Sequence, residues 1–218
     1  SPSAMESFYF QKAVASKSSV LRNVIAARAL QQQAASATLR GHSHVVFLGR
    51  MAEPKNPLRL LRVLELVSAQ VPGLEAKIIG SGELEAEVRA AWERSPARDH
   101  IQLLGYQSNA YGLLQDGDLM LMTSLWEGTP MCALEAMALG VPIVSTPVDG
   151  LRDLVEPGRT GFLESEDQAL ADRCAQIIQN PGLRQQLSEN AQEKAKKLLN
   201  LEAYRQQLRA VYQLGGSL

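Results

Sequence analysis

The stretch WEGTPMCALEAMALGVPIVSTPVDG, residues 126–150, says more about the fold than any other part of the chain. It overlaps the end of LMLMTSLW (119–126), an apolar run of strand length. Pro130 stands at a position where a helix favours proline as its first residue. The missing N–H has no consequence there, and the φ of proline is already fixed. Gly140 then ends the helical pattern. The stretch predicts a strand, a turn and a helix from about 130 to 139.

Two carboxylates flank the start of this helix. Glu127 precedes it in the turn, and Glu135 lies about a turn and a half inside, with its Cβ leaning back toward the N-terminus. Both are expected to face one cleft, where a carboxylate can accept paired hydrogen bonds from the vicinal hydroxyls of a sugar or ribose. The N–H groups and dipole of the first turn suit a diphosphate. Gly128 is expected to permit the close turn, and the backbone predicted to hold the diphosphate is that of Thr129, Met131, Cys132 and Ala133 around Pro130.

A simpler interpretation of the two glutamates stays open. An acidic residue near a helix start often only complements the dipole, and a single glutamate on a helix usually marks a solvated face. Glu135, however, lies in ALEAMALGVPIV (133–144), which is otherwise nearly all apolar. Because a carboxylate there is unfavourable without partners, the functional interpretation is favoured.

A cationic pair follows an earlier strand. HVVFLGR, residues 44–50, predicts a buried strand that ends in Gly49, where backbone can come close to a ligand. Arg50 can form a fork with phosphate oxygens, whereas Lys55 acts as a point charge. Both could stabilise the charge that grows on a departing diphosphate. The alternative is a pair of surface cations beside the acidic Glu53.

Apolar strands and helices alternate along the chain. This pattern predicts a parallel sheet with helices on both faces and right-handed crossovers. Glycines at or just beyond the strand ends, Gly80, Gly82, Gly105 and Gly128, are expected to place their loops along one cleft. The predicted strands are 44–49, 75–80, 100–104, 118–123 and 142–146, and the predicted helices are 56–70, 82–94, 108–116 and 130–139.

The last part of the sequence predicts three helices, near 167–179, 181–198 and 201–214, after a short edge strand GFL (161–163). Apolar residues recur in these helices at steps of three and four, which is typical of core packing. Core positions are therefore expected at Leu170, Cys174 and Ile177, and at Tyr204, Leu208 and Val211.

Composition excludes some classes of function. A net charge of −1 over 218 residues argues against a nucleic-acid-binding protein, which would present a basic face. Residues 1–43 hold five basic side chains and one acidic one. They could contact an anionic membrane or an acidic partner, although a solvated helix face is the simpler account.

No apolar run reaches the roughly 18 residues of a membrane span, and no signal peptide is evident.

Cysteines and histidines give little sign of a metal site. Cys132 and Cys174 are too few for a disulfide framework and lack metal-ligand spacing, which fits a reducing compartment. His42, His44 and His100 are interpreted as isolated groups, solvated or satisfied by neighbours.

SPSA, residues 1–4, could be a cloning scar.

EGTPMCALEAMALGVPIV (127–144) resembles the motif of the retaining family-4 glycosyltransferases, in which seven residues separate two glutamates. GRMAEPKNP (49–57) is similar to that family's Gly-Arg segment with its downstream lysine. The resemblance covers about residues 20–214. Three further segments follow in the family's order: IIGSGELEAEV (78–88), IQLLGY (101–106) and VDGLRDLVEPGRTGFL (148–163).

The resemblance implies one lobe of a GT-B fold: a Rossmann-like parallel sheet with helices on both faces and a C-terminal helical extension. It implies that Glu127 binds hydroxyls of the transferred sugar and that Glu135 binds the ribose hydroxyls. Arg50 and Lys55 would bind the diphosphate, with Gly105 and Tyr106 near the base. Asn56, where many members have glycine, and Asp153, where many have glutamate, depart from the pattern without altering charge at the site.

The resemblance also implies the reaction and its setting. A hexose would pass from a UDP-, GDP- or ADP-sugar to an acceptor with retention, in cell-surface polysaccharide or lipopolysaccharide synthesis, without metal or cofactor. Residues 44–218 would form the donor-binding domain. Residues 1–43 would end a missing N-terminal acceptor lobe, 18–27 resembling the interdomain segment, so the fragment alone is expected to be inactive. The expected location is cytoplasmic, with peripheral contact at the inner membrane face in the full-length enzyme.

Two alternatives to a transferase stay open. An epimerase-like enzyme would share the phosphate-binding groups but would need proton-transfer groups that the sequence does not reveal. A non-catalytic binding or scaffold domain could keep the fold after losing activity. Four retained polar residues, Arg50, Lys55, Glu127 and Glu135, argue against the scaffold.

Overall fold

The computed structural model of the protein describes residues 24–37 and 41–212. Its strands are β1 Ser43–Leu48, β2 Ala76–Ile79, β3 Ile101–Gly105, β4 Gly117–Met122, β5 Ile143–Ser145 and β6 Gly161–Leu163. Its helices are α1 Ala27–Ala35, α2 Pro57–Gln70, α3 Glu85–Arg94, α4 Tyr111–Gln115, α5 Met131–Leu139, α6 Asp149–Leu154, α7 Asp167–Gln179, α8 Pro181–Leu198 and α9 Leu201–Tyr212. Single 3-10 turns lie at Glu53–Lys55 and Arg98–His100.

The strands form one parallel sheet in the order β3-β2-β1-β4-β5-β6. β1 and β4 lie at its centre, with Val45 opposite Leu119. This confirms the α/β fold predicted from the alternation of apolar strands and helices, and β6 is an edge strand as expected. Because all strands run in one direction, their carboxyl ends share one edge, and the loops that carry Arg50 and Glu127 begin there.

Helices cover both faces of the sheet, so the core has two layers. On one face α2 and α7 pack over a cluster that includes Phe47, Ile78 and Leu121. On the other face α1, α4, α5 and α8 pack over a cluster that includes Val46 and Met120. The central strands are apolar over Val45–Leu48 and Leu119–Met122, because neither face of the sheet meets water there.

The predicted bounds of strands and helices agree with the structure to within a few residues. The largest differences are in α3, which begins at Glu85 and not near 82, and α4, which begins at Tyr111 and not near 108. The sequence pattern does not predict α6, since a helix of six residues is too short to show a helical period.

The prediction of core packing is confirmed for one C-terminal helix and wrong for another. Leu170, Cys174 and Ile177 of α7 are buried. No residue of α9 is buried against the described part of the chain, although its apolar residues Tyr204, Leu208 and Val211 recur at helical spacing. A helical period identifies an apolar face but not the surface that covers it, which is why the sequence misplaced this helix.

The interpretation of His42 and His44 as isolated residues is wrong. Their rings meet edge to face, with centroids 5.0 Å apart, at the amino end of β1. His42 Nε2 lies 3.2 Å from Asp118 Oδ1, and the same oxygen pairs with Arg184 of α8 at 2.5 Å. His44 Nδ1 accepts the Glu75 N–H, so the proton of neutral His44 lies on Nε2. Asp118 therefore joins β4 to His42 and to Arg184 of α8, so the cluster anchors α8 to the sheet.

Some expectations fall on residues outside the described ranges. These are the cloning scar, most of the basic leader and most of the segment 18–27. Across 24–37 and 41–212, no helix is both long enough and apolar enough to cross a membrane.

Candidate functional site

The candidate site lies where the loops after β1, β4 and β5 meet. Hydroxyls near the end of β4 and β5 tie these loops together: Thr123 Oγ1 donates to Asn56 O at 3.1 Å, and Thr146 Oγ1 donates to Ser124 O at 2.7 Å. The Leu125 N–H donates to Pro54 O at 2.9 Å. The two buried threonine hydroxyls and this backbone bond therefore hold the Lys55 and Glu127 loops together.

Lys55 and Glu127 are in direct contact at this junction. Lys55 Nζ lies 2.5 Å from Glu127 Oε1, and Ser124 Oγ donates to the same oxygen at 2.8 Å. The side chains are 17% and 11% exposed, so they form a largely desolvated ion pair that opens on the cleft. Among the described residues, Glu127 Oε2 has no hydrogen-bond partner. The carboxylate is thus held through one oxygen, Oε1.

Cys132 lies beneath this ion pair, with its Sγ 3.9 Å from Lys55 Nζ. Burial raises the pKa of the thiol to about 11, and the positive charge of Lys55 opposes this only in part. The negative charges of Glu127 and Glu135 also raise it, so both carboxylates act on this one thiol. Glu127 and Glu135 therefore both lie near Cys132, at the start of α5.

Glu135 is half-buried and has a partner that the sequence does not identify. Tyr111, at the start of α4, donates its hydroxyl to Glu135 Oε1 at 3.3 Å. Burial raises the pKa of the Glu135 carboxyl, and the hydrogen bond from Tyr111 lowers it again in part. The carboxylate is thus not on a freely solvated face, which was the simpler interpretation.

The first turn of α5 departs from the prediction in detail. Pro130 is the residue before the helix, with φ −71° and ψ 110°, and Met131 is the first helical residue. The Ala133 N–H donates to Pro130 O at 3.2 Å, so this donor is already engaged. Met131 and Cys132 come before Ala133, at positions whose N–H groups lack an intrahelical acceptor. These two, with Thr129, are the better candidates for holding an anion.

The glycine required by the turn is Gly150 and not Gly128. A Cβ on Gly150 would lie 2.3 Å from Gly128 O, and the Gly150 N–H donates to Glu127 O at 3.1 Å. Gly128 has open space around it and needs no positive φ. The expectation that Gly128 permits the close turn is therefore wrong, because the close approach is between α6 and the turn.

A second part of the cleft lies at the ends of β1, β2 and β3. A cavity of about 350 Å³ is lined by Gly49, Arg50, Gly80 and Tyr106 together with their neighbours. Arg50 is exposed, and Tyr106 is 74% exposed. The loops after β2 and β3, two of those that the sequence places along one cleft, thus share a cavity with the loop after β1.

Close backbone contacts shape this cavity. A Cβ on Gly80 would lie 1.9 Å from Gly49 O, and the Gly80 N–H donates to Gly105 O at 2.8 Å. Gly105 itself has φ +65°. Gly80 therefore lets the ends of β1 and β2 approach closely, and Gly105 supplies the left-handed backbone at the end of β3.

The sequence does not identify Ser124, Tyr111 or Gly150 as parts of the site. Ser124 stands three residues before Glu127, but spacing within a loop sets no geometry. Tyr111 lies on a different helix from Glu135, and Gly150 touches a turn more than twenty residues away. Only tertiary contacts bring these residues to the cleft.

The fold and the cleft together define a class. A parallel sheet covered by helices on both faces, with glycine-rich loops, cations and a helix start at the carboxyl edge, is a Rossmann-like domain suited to a phosphorylated ligand. The chain belongs to the glycosyl transferases group 1, whose family model matches residues 31–194.

Individual relatives agree with this family. The amylovoran biosynthesis glycosyltransferase AmsK of Erwinia amylovora is 31% identical over 137 residues, 58% of this chain and 34% of AmsK. The chain spans roughly half the length of the first curated relatives that it matches. It is therefore similar to one part of longer glycosyltransferases that include enzymes of polysaccharide biosynthesis.

Solved structures agree on the fold. Anabaena Alr3699/HepE in complex with UDP has a TM-score of 0.83 and 22% identity over 98% of this chain and 62% of HepE. The C-terminal domain of a group 1 glycosyl transferase, LpcC of Francisella tularensis, has a TM-score of 0.64 and 19% identity over 77% of this chain and 91% of that domain. The fold of this chain is that of one lobe of GT-B glycosyltransferases, with a C-terminal helical extension.

Proposed function

We propose that this chain is the donor-binding domain of a retaining family-4 glycosyltransferase, which moves a hexose from a nucleoside diphosphate sugar to an acceptor. The observation that carries the proposal is the Lys55–Glu127 ion pair at the start of α5, next to the first-turn N–H groups. It combines a cation for phosphate, a carboxylate for hydroxyls and a helix dipole in one desolvated place. Relatives in polysaccharide biosynthesis support cell-surface polysaccharide or lipopolysaccharide assembly as the setting.

The proposed donor lies along the carboxyl edge of the sheet. Its base occupies the cavity beside Tyr106, and its diphosphate lies between Arg50, Lys55 and the start of α5. Its ribose faces Glu135, and its sugar faces the second oxygen of Glu127. UDP is the first candidate nucleotide, because the similar HepE structure holds UDP.

The cations serve the reaction by stabilising the leaving group. As the sugar–phosphate bond breaks, negative charge grows on the diphosphate. A fixed cation in a desolvated site therefore stabilises the transition state more strongly than the ground state. Lys55 has three N–H donors and uses two of them on Glu127 and Cys132, so one is available to phosphate. Glu127 binds hydroxyls in this proposal and is not a nucleophile.

Calorimetry on the 218-residue protein tests nucleotide binding. We expect UDP to bind and to raise the melting temperature with the logarithm of its concentration over Kd. Lys55→Ala should weaken binding about ten- to a hundredfold, the value of a hydrogen bond to a charged group. Lys197→Ala is the matched control, because Lys197 is 69% exposed and pairs with Glu193 on α8. No shift with UDP, GDP or ADP at millimolar concentration would contradict the proposal and favour a scaffold domain.

Retention is tested on the product. An acceptor-competent protein that contains this domain is supplied with an α-linked nucleotide sugar, and the anomeric configuration of the product is read by NMR. We expect an α-linked product, and a β-linked product would contradict the retaining assignment.

A further inference from the structure

Glu135 and Tyr111 form a polar pair inside an otherwise apolar junction of two helices. Leu134 and Ala136, on either side of Glu135, are buried. The Tyr111 ring packs against the core layer on that face of the sheet, and its hydroxyl reaches Glu135 Oε1 at 3.3 Å. Both side chains are half-buried, so the pair has one side in the core and one side toward solvent.

We propose that Tyr111 is a positioning residue, which orients the Glu135 carboxylate for the vicinal hydroxyls of the donor's ribose. The inference rests on the proposed function, since it assigns a partner to the ribose-binding group of that site. Tyr111 does not touch the ribose in this arrangement and acts through Glu135.

The hydrogen bond leaves the carboxylate able to bind a diol. A carboxylate has about four acceptor positions on its two oxygens, and the Tyr111 hydroxyl uses one of them, on Oε1. A phenol suits this task, because its ring has few rotatable bonds and is held by packing. The glutamate side chain, by contrast, has several rotatable bonds. Without a fixed donor its carboxylate would sample orientations that do not match the two hydroxyls of a ribose.

Tyr111 also favours the ionised form that accepts hydroxyls. Burial raises the pKa of the Glu135 carboxyl, and the Tyr111 hydrogen bond is the group among the described residues that lowers it. Tyr111 itself stays protonated, because burial and the neighbouring carboxylate raise its own pKa. From α5 itself, Cys132 is the other titratable group near the carboxylate, and its raised pKa keeps it neutral. Removing the phenol oxygen should therefore raise the Glu135 pKa further.

The experiment measures how strongly the protein distinguishes ribose from deoxyribose. UDP and 2′-deoxy-UDP are titrated by calorimetry into the wild-type chain, Glu135→Gln, Tyr111→Phe and the control Tyr204→Phe, a half-buried tyrosine of α9. We expect the wild type to prefer UDP and Glu135→Gln to lose that preference. Tyr111→Phe should lower the preference about five- to tenfold while 2′-deoxy-UDP binding changes less than about twofold. Tyr204→Phe should behave as wild type.

The pH profile separates positioning from a merely structural role. UDP binding should weaken as pH falls through the folded-state pKa of Glu135, and in Tyr111→Phe this loss should begin at higher pH. An unchanged UDP preference and an unchanged pH profile in Tyr111→Phe would overturn the inference. If the wild type binds neither nucleotide, the proposed function fails; if it prefers UDP through Glu135 but not through Tyr111, only the positioning role fails.

Discussion

Cys132 is a residue whose chemistry depends on burial more than on its charged neighbour. A lysine beside a thiol commonly lowers the thiol pKa, and a helix start does the same. Here Lys55 lies 3.9 Å away, yet burial and two carboxylates raise the pKa to about 11. Burial outweighs the positive charge of Lys55, and the negative charge of Glu127 beside that lysine adds to the rise.

Cys132 should therefore react slowly with alkylating reagents. At neutral pH a thiol with a pKa of about 11 holds about 100-fold less thiolate than one with its usual value near 9. We expect iodoacetamide at pH 7.5 to modify Cys132 at least that much more slowly in the folded protein than in urea, by mass spectrometry of the peptide. Equal modification rates in the folded protein and in urea would contradict the raised pKa of Cys132.

Asn56 is the non-glycine residue with positive φ among those described, at φ 49° and ψ 57°. Its side chain makes no capping bond to α2, so asparagine is suited to this position by its tolerance of the left-handed conformation. The glycine that many members of the resembled family carry has the same tolerance. The departure from the pattern thus preserves the backbone conformation next to Lys55.

Substitutions at Asn56 should follow this conformation. Asn56→Gly should change the free energy of unfolding by only a few tenths of a kcal/mol, whereas Asn56→Ala should lower it by about 1 kcal/mol. Urea unfolding of the two variants measures the difference. If Asn56→Ala proves as stable as Asn56→Gly, the left-handed backbone is not what limits this position.

At the scale of elements, the site depends on how α6 packs against the turn before α5. Gly150 lies in α6 with its Cα against Gly128 O, and its N–H holds the Glu127 carbonyl. The glycine is required by this contact and not by its own helix, where alanine would be favourable.

Gly150→Ala should therefore push the turn away from α6. We expect it to lower the free energy of unfolding by about 1–3 kcal/mol, as overpacking does, and to weaken UDP binding through displacement of Glu127. Gly128→Ala is the matched control, since its added Cβ meets open space, and it should stay within about 0.5 kcal/mol of wild type. Chemical denaturation of both variants measures this, and equal stability would refute the role of the contact.

Elements were predicted from the sequence to different extents. Strands and long helices have periods that a sequence displays, so their order and approximate bounds were correct, including α5 and β6. The partner of α9 was not predictable, because an amphipathic pattern carries no information about which surface meets it. For the same reason the pairing of α4 with α5 through Tyr111 and Glu135 was not foreseen.

For the whole molecule, the cluster at the amino edge of the sheet makes stability depend on pH. Burial, more than any other cause, lowers the pKa of His44 below its usual 6.5. The unfolded chain therefore binds this proton more readily than the folded one. The free energy of unfolding should fall as pH decreases through about 6.5 and level off below the folded pKa.

His44→Asn should remove this contribution, because asparagine offers an acceptor to the Glu75 N–H but does not titrate. At pH 7.5 the wild type should melt at a higher temperature than the variant. This difference in melting temperature should shrink toward pH 5. Calorimetric melting at several pH values measures it. A difference that is constant with pH would show that His44 does not titrate between these limits.

The sequence by itself determined the order of strands and helices, the parallel sheet and the residue types of the candidate site, because periodicity, turn residues and short motifs are local properties. The tertiary structure alone decided which groups touch: Lys55 with Glu127, Tyr111 with Glu135, Gly150 with the turn, and His42 with His44 and Asp118. These contacts join residues on separate elements, and their distances depend on how helices and loops pack. A local pattern does not encode that packing, so the sequence could name the carboxylates and cations of the site but not their partners.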